Sequence, residues 1–424
     1  VDAVWQLVCD GRFGLRAAED QDAVEGLQRR LGTATAFSGL LHLSDEGCAI
    51  TKQSRVDEIH QCPQVTETVL DGRAGEHDPG AGFEPAQLLS GLARGVLDDL
   101  RLVEQLNVIG SWSTVNQHPD YEVPFWSETI PEASGGRITT DVTAFDLVGV
   151  GQDEVYEVVG LGLYEVGATV VGYMAGVDSR LEGLDLPAVA TDMELARRAN
   201  DAAKPLQDEV VQEIWDVKLL ASVPYSAQIV FCNAEISGLA DLAGKRIRGS
   251  GIMALRFLEA AGATPVNVAF SEVPVALERG VVDCAITGAL SGYDNRWYEV
   301  ATHLYPLPAG GWNHVGTVIR MDLWEGFDDA TRAFFEEQMT AYEDLVWAEV
   351  AGETDLGIAC NTDGECPRGE PGGMTLVEVT PDDEALARQL LQDEVLPAWA
   401  DRCGPECVAE WNASVGETFG LTID

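Results

Sequence analysis

Short apolar runs alternate with amphipathic stretches from about residue 106 to the end of the chain. Leu106–Gly110 predicts a buried strand, and a helix is predicted around Tyr121–Ala133. Arg137–Phe145 and Ala168–Met174 predict two further strands, separated by a short helix at Asp153–Gly160. Alternation of short apolar strands with helices is typical of an α/β fold with largely parallel strands.

The alternation becomes denser in the middle of the chain. A long amphipathic helix is predicted from Asp192 to Val217, where the leading aspartate suits the positive end of the helix dipole. Short connections join the elements that follow, as in a doubly wound unit. These are strands Lys218–Val223, Ala227–Cys232, Lys245–Gly249, Pro265–Phe270, Val282–Thr287 and Val315–Met321, and helices Ile252–Ala261 and Glu272–Arg279. Gly262 and Gly280 are natural helix ends.

The two ends of the chain differ from this middle part. Beyond Met321 the pattern predicts long helices at Asp328–Glu349 and Asp382–Asp401, and a third at Glu406–Val415. The first hundred residues have irregular hydrophobic spacing, with helices predicted only at Asp22–Leu31 and Pro85–Leu106. An extra domain, a disordered extension and sequence upstream of the native start all fit that segment.

Charge excludes some classes of partner. The chain carries 71 acidic and 26 basic residues, a formal net charge of -45. A field of this sign repels nucleic acid and anionic lipid head groups, so neither is expected as a partner. Salt screens the self-repulsion of such a surface, which leads us to expect a marine or halophilic source.

Four of the nine cysteines form two close pairs, within CNTDGEC and CGPEC. We predict disulfides within the pairs Cys360/Cys366 and Cys403/Cys407, with zinc ligation or free thiols as the alternatives. Cys232 and Cys284 fall in strands that could be neighbours, where a third disulfide and buried free thiols fit equally well. Disulfides indicate an oxidising, exported location.

Motifs for catalysis are absent from the sequence: there is no Gly-x-Ser-x-Gly, phosphate loop, His-Glu-x-x-His or dinucleotide fingerprint. The informative block is instead Leu239–Gly249, a polar turn leading into a strand that carries Arg246 and Arg248 on one face. Ligands of open α/β sheets bind outside the carboxyl ends of the strands. A guanidinium there offers a bidentate fork for a carboxylate, whereas a surface arginine paired with an acid is the plain structural alternative.

This block resembles the solute-binding subunits of tripartite ATP-independent periplasmic (TRAP) transporters, the DctP-like family. The resemblance continues through Gly262–Val266 and Phe270–Asp283, and it covers about three quarters of the chain. It implies an α/β fold of two lobes that close like a hinged clamshell, with C-terminal helices bracing both. It also implies a small organic acid as ligand, membrane permease subunits as partners, and a periplasmic or extracytoplasmic location.

The resemblance places the ligand-binding arginine on Arg248. Where the family often has a second arginine and an asparagine, this chain has Gln228 and Thr287, which predicts a polar but less charged pocket. Aromatic and polar side chains at strand ends are predicted to complete the site: Trp112, Tyr293, Trp312, Asn313 and His314. For each aromatic, plain core packing is the alternative.

The sequence therefore predicts a transport receptor that performs no chemistry and uses no cofactor or metal. An extracellular sensor module and an enzyme on a binding-protein scaffold are the alternatives, and the oligomeric state stays open. The predicted organisation is an extension at 1–105, one lobe mainly at 106–225, the second mainly at 226–305, and a return to the first lobe with the C-terminal helices at 306–424.

Overall fold

The computed structural model describes residues 104–423, and the helix predicted at Asp22–Leu31 lies outside them, as does all but the end of that predicted at Pro85–Leu106. The last three residues of the second prediction are wrong, because Glu104–Leu106 begin a strand that pairs with Ile138–Thr140. Eleven strands form two sheets within this range. The strands are β1 Glu104–Gly110, β2 Ile138–Ala144, β3 Val166–Val170, β4 Val217–Val223, β5 Gln228–Cys232, β6 Arg246–Arg248, β7 Thr264–Val266, β8 Cys284–Gly288, β9 His303–Tyr305, β10 Val315–Arg320 and β11 Thr375–Leu376.

The first sheet has the strand order β2-β1-β3-β10-β4. β1 is parallel to both of its neighbours, whereas β10 runs antiparallel between β3 and β4. All five residues of β3 are buried, as expected for a strand that helices cover on both faces. This sheet is the core of the first lobe.

The second sheet has the order β11-β9-β5-β8-β6-β7. β6 is parallel to β7 and β8, and β5 is antiparallel to β8 and β9. The start of β5 and the ends of β6 and β8 therefore meet at one edge. The segment after residue 306 supplies β10 to the first sheet and β11 to the second.

Helices pack around both sheets. They are α1, which runs without a break through Gln117–Glu122, Phe125–Thr129 and Ile130–Ala133; α2 Val155–Gly160; α3 Met193–Trp215; α4 Ile252–Ala260; α5 Val273–Glu278; α6 Ala289–Asp294; α7 Met321–Gly326; α8 Asp329–Val350; α9 Glu353–Asn361; α10, which runs through Pro381–Leu390, Leu391–Val395 and Leu396–Cys403; and α11, which runs through Pro405–Trp411, Asn412–Gly416 and Glu417–Phe419.

Most predicted elements are present with small changes at their ends. Asp192 caps α3 through Leu195 N at 2.9 Å, and Gly262 and Gly280 have the positive φ that ends a helix. Two predicted strands are too long. The strand predicted at Ala168–Met174 ends at Val170 because the chain turns into a short helical turn, and that predicted at Pro265–Phe270 ends at Val266.

The two lobes are joined by chain segments that cross side by side. Tyr225 N donates to Trp312 O at 2.9 Å, and Gln228 N donates to Gly311 O at 2.8 Å, so the β4–β5 and β9–β10 connections are hydrogen-bonded to each other. The C-terminal helices contact both lobes. In α8, Trp347 Nε1 donates to Ser222 O of β4 at 3.1 Å, whereas Glu394 of α10 pairs with Arg256 of α4.

Three disulfides lie within residues 104–423. Cys360 pairs with Cys366 and Cys403 pairs with Cys407, as expected from their spacing. The open question about Cys232 and Cys284 is resolved as a third disulfide, because the two residues face each other in the register of β5 and β8. No helix of the described range is long and apolar enough to cross a membrane.

Candidate ligand-binding site

Arg248 ends β6 at the shared edge of the second sheet, and only 6% of its surface is exposed. Its Nε donates to Val268 O at 3.1 Å and its Nη1 donates to Ile286 O at 3.0 Å. No carboxylate of residues 104–423 forms an ion pair with it. Burial lowers the pKa of Arg248, and among the described residues only an interaction with Tyr173 opposes that fall. A buried cation held by neutral carbonyls is costly unless an anion completes it.

Arg246, two residues earlier, is the opposite case. Its side chain is 46% exposed, and its Nη2 binds Asp283 Oδ1 at 2.6 Å while Nε binds Oδ2 at 3.1 Å. The charge of this arginine is therefore neutralised by an acid of its own lobe. Arg246 is therefore a surface arginine paired with an acid, and the guanidinium available to a ligand is that of Arg248.

An aromatic wall from both lobes lies beside Arg248. The guanidinium carbon is 5.9 Å from the centre of the Phe270 ring, close enough for a cation–π contact. Phe270 follows β7, and its ring centre is 5.7 Å from that of Trp112, which follows β1. Trp112 Nε1 donates to the Tyr173 hydroxyl at 3.4 Å. Arg248 therefore lies where the two lobes meet.

Tyr173 and Phe270 were not predicted as site residues. Phe270 is at the end of a strand predicted from the sequence and Tyr173 is inside one, and neither residue is assigned a role in binding from the sequence. Their positions beside Arg248 depend on the turns Val171–Gly176 and Phe270–Glu272, which replace the ends of those two strands.

Gln228 and Thr287 lie at the same edge of the second sheet. β8 lies between β5 and β6, and Gln228 is opposite Gly288. Both side chains are buried, and the Ser250 hydroxyl donates to Gln228 Oε1 at 3.3 Å. Thr287 directly follows Ile286, whose carbonyl accepts from Arg248. These groups are uncharged, so Arg248 carries the charge of this edge.

Trp312, Asn313 and His314 lie in the crossing segment between the lobes. The Asp185 carboxylate accepts from the backbone N–H groups of Trp312 (2.6 Å) and Asn313. The Trp312 indole donates to Ala190 O at 3.0 Å, so its polar edge already has a partner within the protein. Burial lowers the pKa of His314 to about 3, which makes its imidazole neutral. The structure gives these residues a role in shaping the crossing.

Tyr293 lies farther out, in α6. Its hydroxyl donates to Glu370 O at 2.9 Å, and its ring stacks on Tyr298. No hydrogen bond or ring contact joins it to Arg248 in the described range. The predicted residues that the structure gathers around the meeting point of the lobes are thus Arg248, Gln228, Thr287 and Trp112.

Other features of the described residues do not compete with this site. A cavity of ≈ 530 Å³ lies beside β9 and β11, and its lining includes Asn233, Glu278 and Tyr298 but none of the predicted ligand residues. Within residues 104–423 no group of three or more His, Cys, Asp or Glu side chains is arranged to hold a metal ion.

Comparison with known proteins assigns the chain to a family. The family described as bacterial extracellular solute-binding protein, family 7, matches residues 114–398. The C4-dicarboxylate-binding periplasmic protein DctP of Rhodobacter capsulatus is 25% identical over 240 residues, which cover 56% of this chain and 68% of that protein.

Solved structures share the fold. DctP6, an extracytoplasmic solute receptor of Bordetella pertussis that binds pyroglutamic acid, is 20% identical, with 73% of this chain and 98% of that chain covered and a TM-score of 0.65. A TRAP periplasmic solute-binding protein of Shewanella oneidensis, with bound succinate, is 18% identical, with 73% and 99% covered and a TM-score of 0.61. The protein belongs to family 7 of the bacterial extracellular solute-binding proteins, which are receptors and not enzymes.

Proposed function

We propose that this receptor captures a small carboxylate between its two lobes in the periplasm and delivers it to a TRAP membrane permease. The observation that carries the proposal is the buried Arg248 guanidinium, which neutral carbonyls hold and no acid of the described range neutralises. A ligand carboxylate supplies the missing negative charge. The relatives named above, which bind C4-dicarboxylates, pyroglutamic acid and succinate, support this ligand class.

The geometry of Arg248 suits a bidentate carboxylate. A guanidinium has five N–H donors, and two of them serve Val268 O and Ile286 O, which leaves three. Two parallel N–H···O bonds to one carboxylate use the fork that arginine offers and lysine does not. The carbonyl bonds hold the fork in place before the ligand arrives, so less conformational freedom is lost on binding.

The charges around the site favour a ligand with a single carboxylate. Tyr173 is the one ionisable group of the described range that interacts with the charge of Arg248, and burial raises the pKa of Tyr173 above 10, so its hydroxyl is neutral at physiological pH. Gln228 and Thr287 are neutral, and Trp112 and Phe270 offer apolar surface. A second carboxylate would lie there without a cation, which costs free energy in a buried site. We therefore expect pyroglutamate to bind more tightly than succinate.

Location and partner follow from the receptor role. The Cys360–Cys366 and Cys403–Cys407 disulfides close short loops, whereas Cys232–Cys284 joins two paired strands. All three require an oxidising compartment to persist. A receptor that binds without chemistry needs a membrane partner to accept its ligand. We propose the permease subunits of a TRAP transporter as that partner.

A thermal-shift screen of organic acids on the full chain tests the proposal, because a ligand that binds only the folded state raises the melting temperature. The probes are pyroglutamate, succinate and other small carboxylates. In calorimetry with the best acid, we expect Arg248→Met to weaken binding by about tenfold or more, the loss of a hydrogen bond to a charged group. Arg246→Met is the matched control and should bind like the wild type.

Two results would contradict the proposal. One is a screen in which carboxylates leave the melting temperature unchanged while neutral or amine-bearing metabolites raise it. The other is an Arg248→Met protein that folds normally and binds the acid as tightly as the wild type does.

A further inference from the structure

Arg368 lies on a loop that is fixed to the second lobe. The loop leaves α9, is closed by the Cys360–Cys366 disulfide, and ends in β11, which pairs with β9. Gly372 N donates to Cys360 O at 2.8 Å, and Thr375 N donates to Thr302 O at 2.9 Å. These bonds hold both ends of the loop, so the position of Arg368 is determined by the second lobe.

The guanidinium of Arg368 binds one acid from each lobe. Nε lies 3.1 Å from Asp294 Oδ1, and Nη2 lies 3.3 Å from Asp294 Oδ2. Asp294 ends α6, which follows β8 of the second sheet. Nη1 lies 3.0 Å from Asp120 Oδ2, and Asp120 is in α1, which follows β1 of the first sheet. One guanidinium thus joins the two lobes through two of its N–H edges.

The two acids repel each other when the arginine is absent. Burial raises the pKa of Asp294, the Arg368 guanidinium opposes that rise, and the charge of Asp120 adds to it. Arg368 therefore does more than add an ion pair, because it also neutralises a like-charge contact across the gap. In a chain of net charge -45, such a contact favours separation of the lobes.

A neutral hydrogen bond lies in the same gap. Asn295 Nδ2, from the residue after Asp294, donates to Thr114 O of the first lobe at 2.9 Å. The contact between α6 and the α1 segment is thus a seam of several polar bonds. Asp294 is 15% exposed and Asp120 is 39% exposed, so separation of the lobes at this seam would expose both acids further to water.

We propose that Arg368 is a positioning residue for ligand capture, which stabilises the closed arrangement of the lobes by bridging Asp120 and Asp294. The inference rests on the two-lobed capture proposed above. It concerns the population of the closed form and not the identity of the ligand. Loss of the bridge leaves the ligand contacts in place and shifts the molecule toward the open form.

The test measures the distance between the lobes in the ligand-free full chain. Nitroxide labels attached to non-canonical amino acids at Leu147 and Val275, both exposed, avoid the native cysteines. Double electron–electron resonance should show a closed population in the wild type. Arg368→Met should lower the ratio of closed to open molecules about three- to fivefold, the upper range for a partly exposed ion pair.

Arg332→Met is the matched control, because Arg332 is equally exposed (33% for both side chains) but pairs with Asp329 inside one helix. It should leave the distances unchanged. Asp120→Asn should lower the closed population by itself, because it removes one half of the bridge. In the Arg368→Met background the same change should raise the closed population, because it removes the repulsion between Asp120 and Asp294.

The proposal is wrong if Arg368→Met and Asp120→Asn each give the wild-type distances, or if the ligand-free wild type contains no closed population. Circular dichroism on each variant separates a folding defect from a change in closure, and Asp120→Asn serves if Arg368→Met does not fold. Because no ligand is present, failure of the ligand screen leaves this result standing, and the reverse also holds.

Discussion

At the scale of single residues, two arginines of one strand differ in their burial and in their partners. Arg246 reaches solvent and is neutralised by Asp283, so it links the start of β6 to the residue that precedes β8. Arg248 is buried against the carbonyls of Val268 and Ile286. One arginine thus has an acid as its partner and the other has only neutral carbonyls, and this difference is why we propose Arg248 as the ligand-binding arginine.

A lysine at position 248 tests the fork separately from the charge. Arg248→Lys keeps a cation, but one ammonium cannot bind Val268 O, Ile286 O and a bidentate carboxylate together. We expect the variant to bind the acid at least about tenfold more weakly than the wild type, measured by calorimetry. Equal affinity would mean that a point charge is sufficient and that the bidentate geometry is irrelevant.

The place of Arg248 at the end of a strand was predictable from the sequence, and its contact with a ligand stays a prediction. The positions of Tyr173 and Phe270 were not predictable, because the strands predicted over them end earlier in the structure. The ligand contact predicted for Trp312 also stays a prediction. Its two preceding glycines correctly indicate a loop, but no local pattern shows that the indole reaches Ala190 O, 122 residues away in sequence.

At the scale of elements, helix α4 begins without a cap of its own. Its first position follows Gly251, which has no side chain to offer, and Glu182 of a distant turn accepts from Met253 N at 3.0 Å instead. The Glu182 side chain is 7% exposed. Burial raises its pKa to about 7, although the Met253 N–H and the charge of Arg402 oppose the rise.

This raised pKa predicts a pH dependence of stability. Between the ordinary glutamate value and about 7, the folded protein holds a proton on Glu182 that the unfolded chain releases. The contribution to stability is therefore present at low pH and is lost as the pH rises through about 7. Compared with Glu182→Gln, the wild type should lose up to about 3 kcal/mol of free energy of unfolding from pH 4.5 to pH 8.

Urea denaturation at the two pH values measures this difference. Glu259→Gln, an exposed substitution in the same helix, should follow the wild type at both. A Glu182→Gln protein whose stability changes with pH just as the wild type does would assign the dependence to another group.

A second element, α10, is tied to the second lobe by its capping box. Asp383 accepts from Thr380 N at 3.0 Å and from the Thr380 hydroxyl at 2.8 Å, and it also accepts from Leu239 N at 2.8 Å. Asp383→Ala should lower the free energy of unfolding by about 2–3 kcal/mol because it leaves buried donors unpaired. The adjacent Asp382→Ala, which is exposed, should cost much less in the same denaturation experiment.

Long helices with a sustained hydrophobic period, such as α3 and α8, were predicted well. Elements that depend on strand pairing or on packing against distant segments were predicted less well. Helix α9 was not predicted: only the Cys360–Cys366 disulfide was assigned to this stretch from the sequence, whereas the helix packs on α6 (Asn361 Nδ2 to Ala289 O, 2.8 Å). The Cys232–Cys284 disulfide could not be predicted because it depends on the register between β5 and β8, which neither strand's own sequence determines.

At the scale of the whole molecule, the net charge of -45 opposes compactness. Salt screens this repulsion, so the melting temperature should rise from about 0.1 M to about 2 M NaCl. KCl should act alike, whereas sucrose at matched osmolality should not reproduce the effect at the lower end of that range. A melting temperature that is flat or falls with added salt would show that local ion pairs, such as Arg197 with Asp201 and Asp344, already offset the excess charge.

The position of β10 has a consequence for biosynthesis. β10 lies between β3 and β4, so those two strands have a vacant place between them until all of β5–β9 has been synthesised. Unpaired strand edges invite pairing with other chains, and a contact between distant segments forms slowly. A nascent chain that stops before Val315 therefore cannot complete its first lobe. We expect the growing polypeptide to need protection from aggregation until Val315–Arg320 emerges.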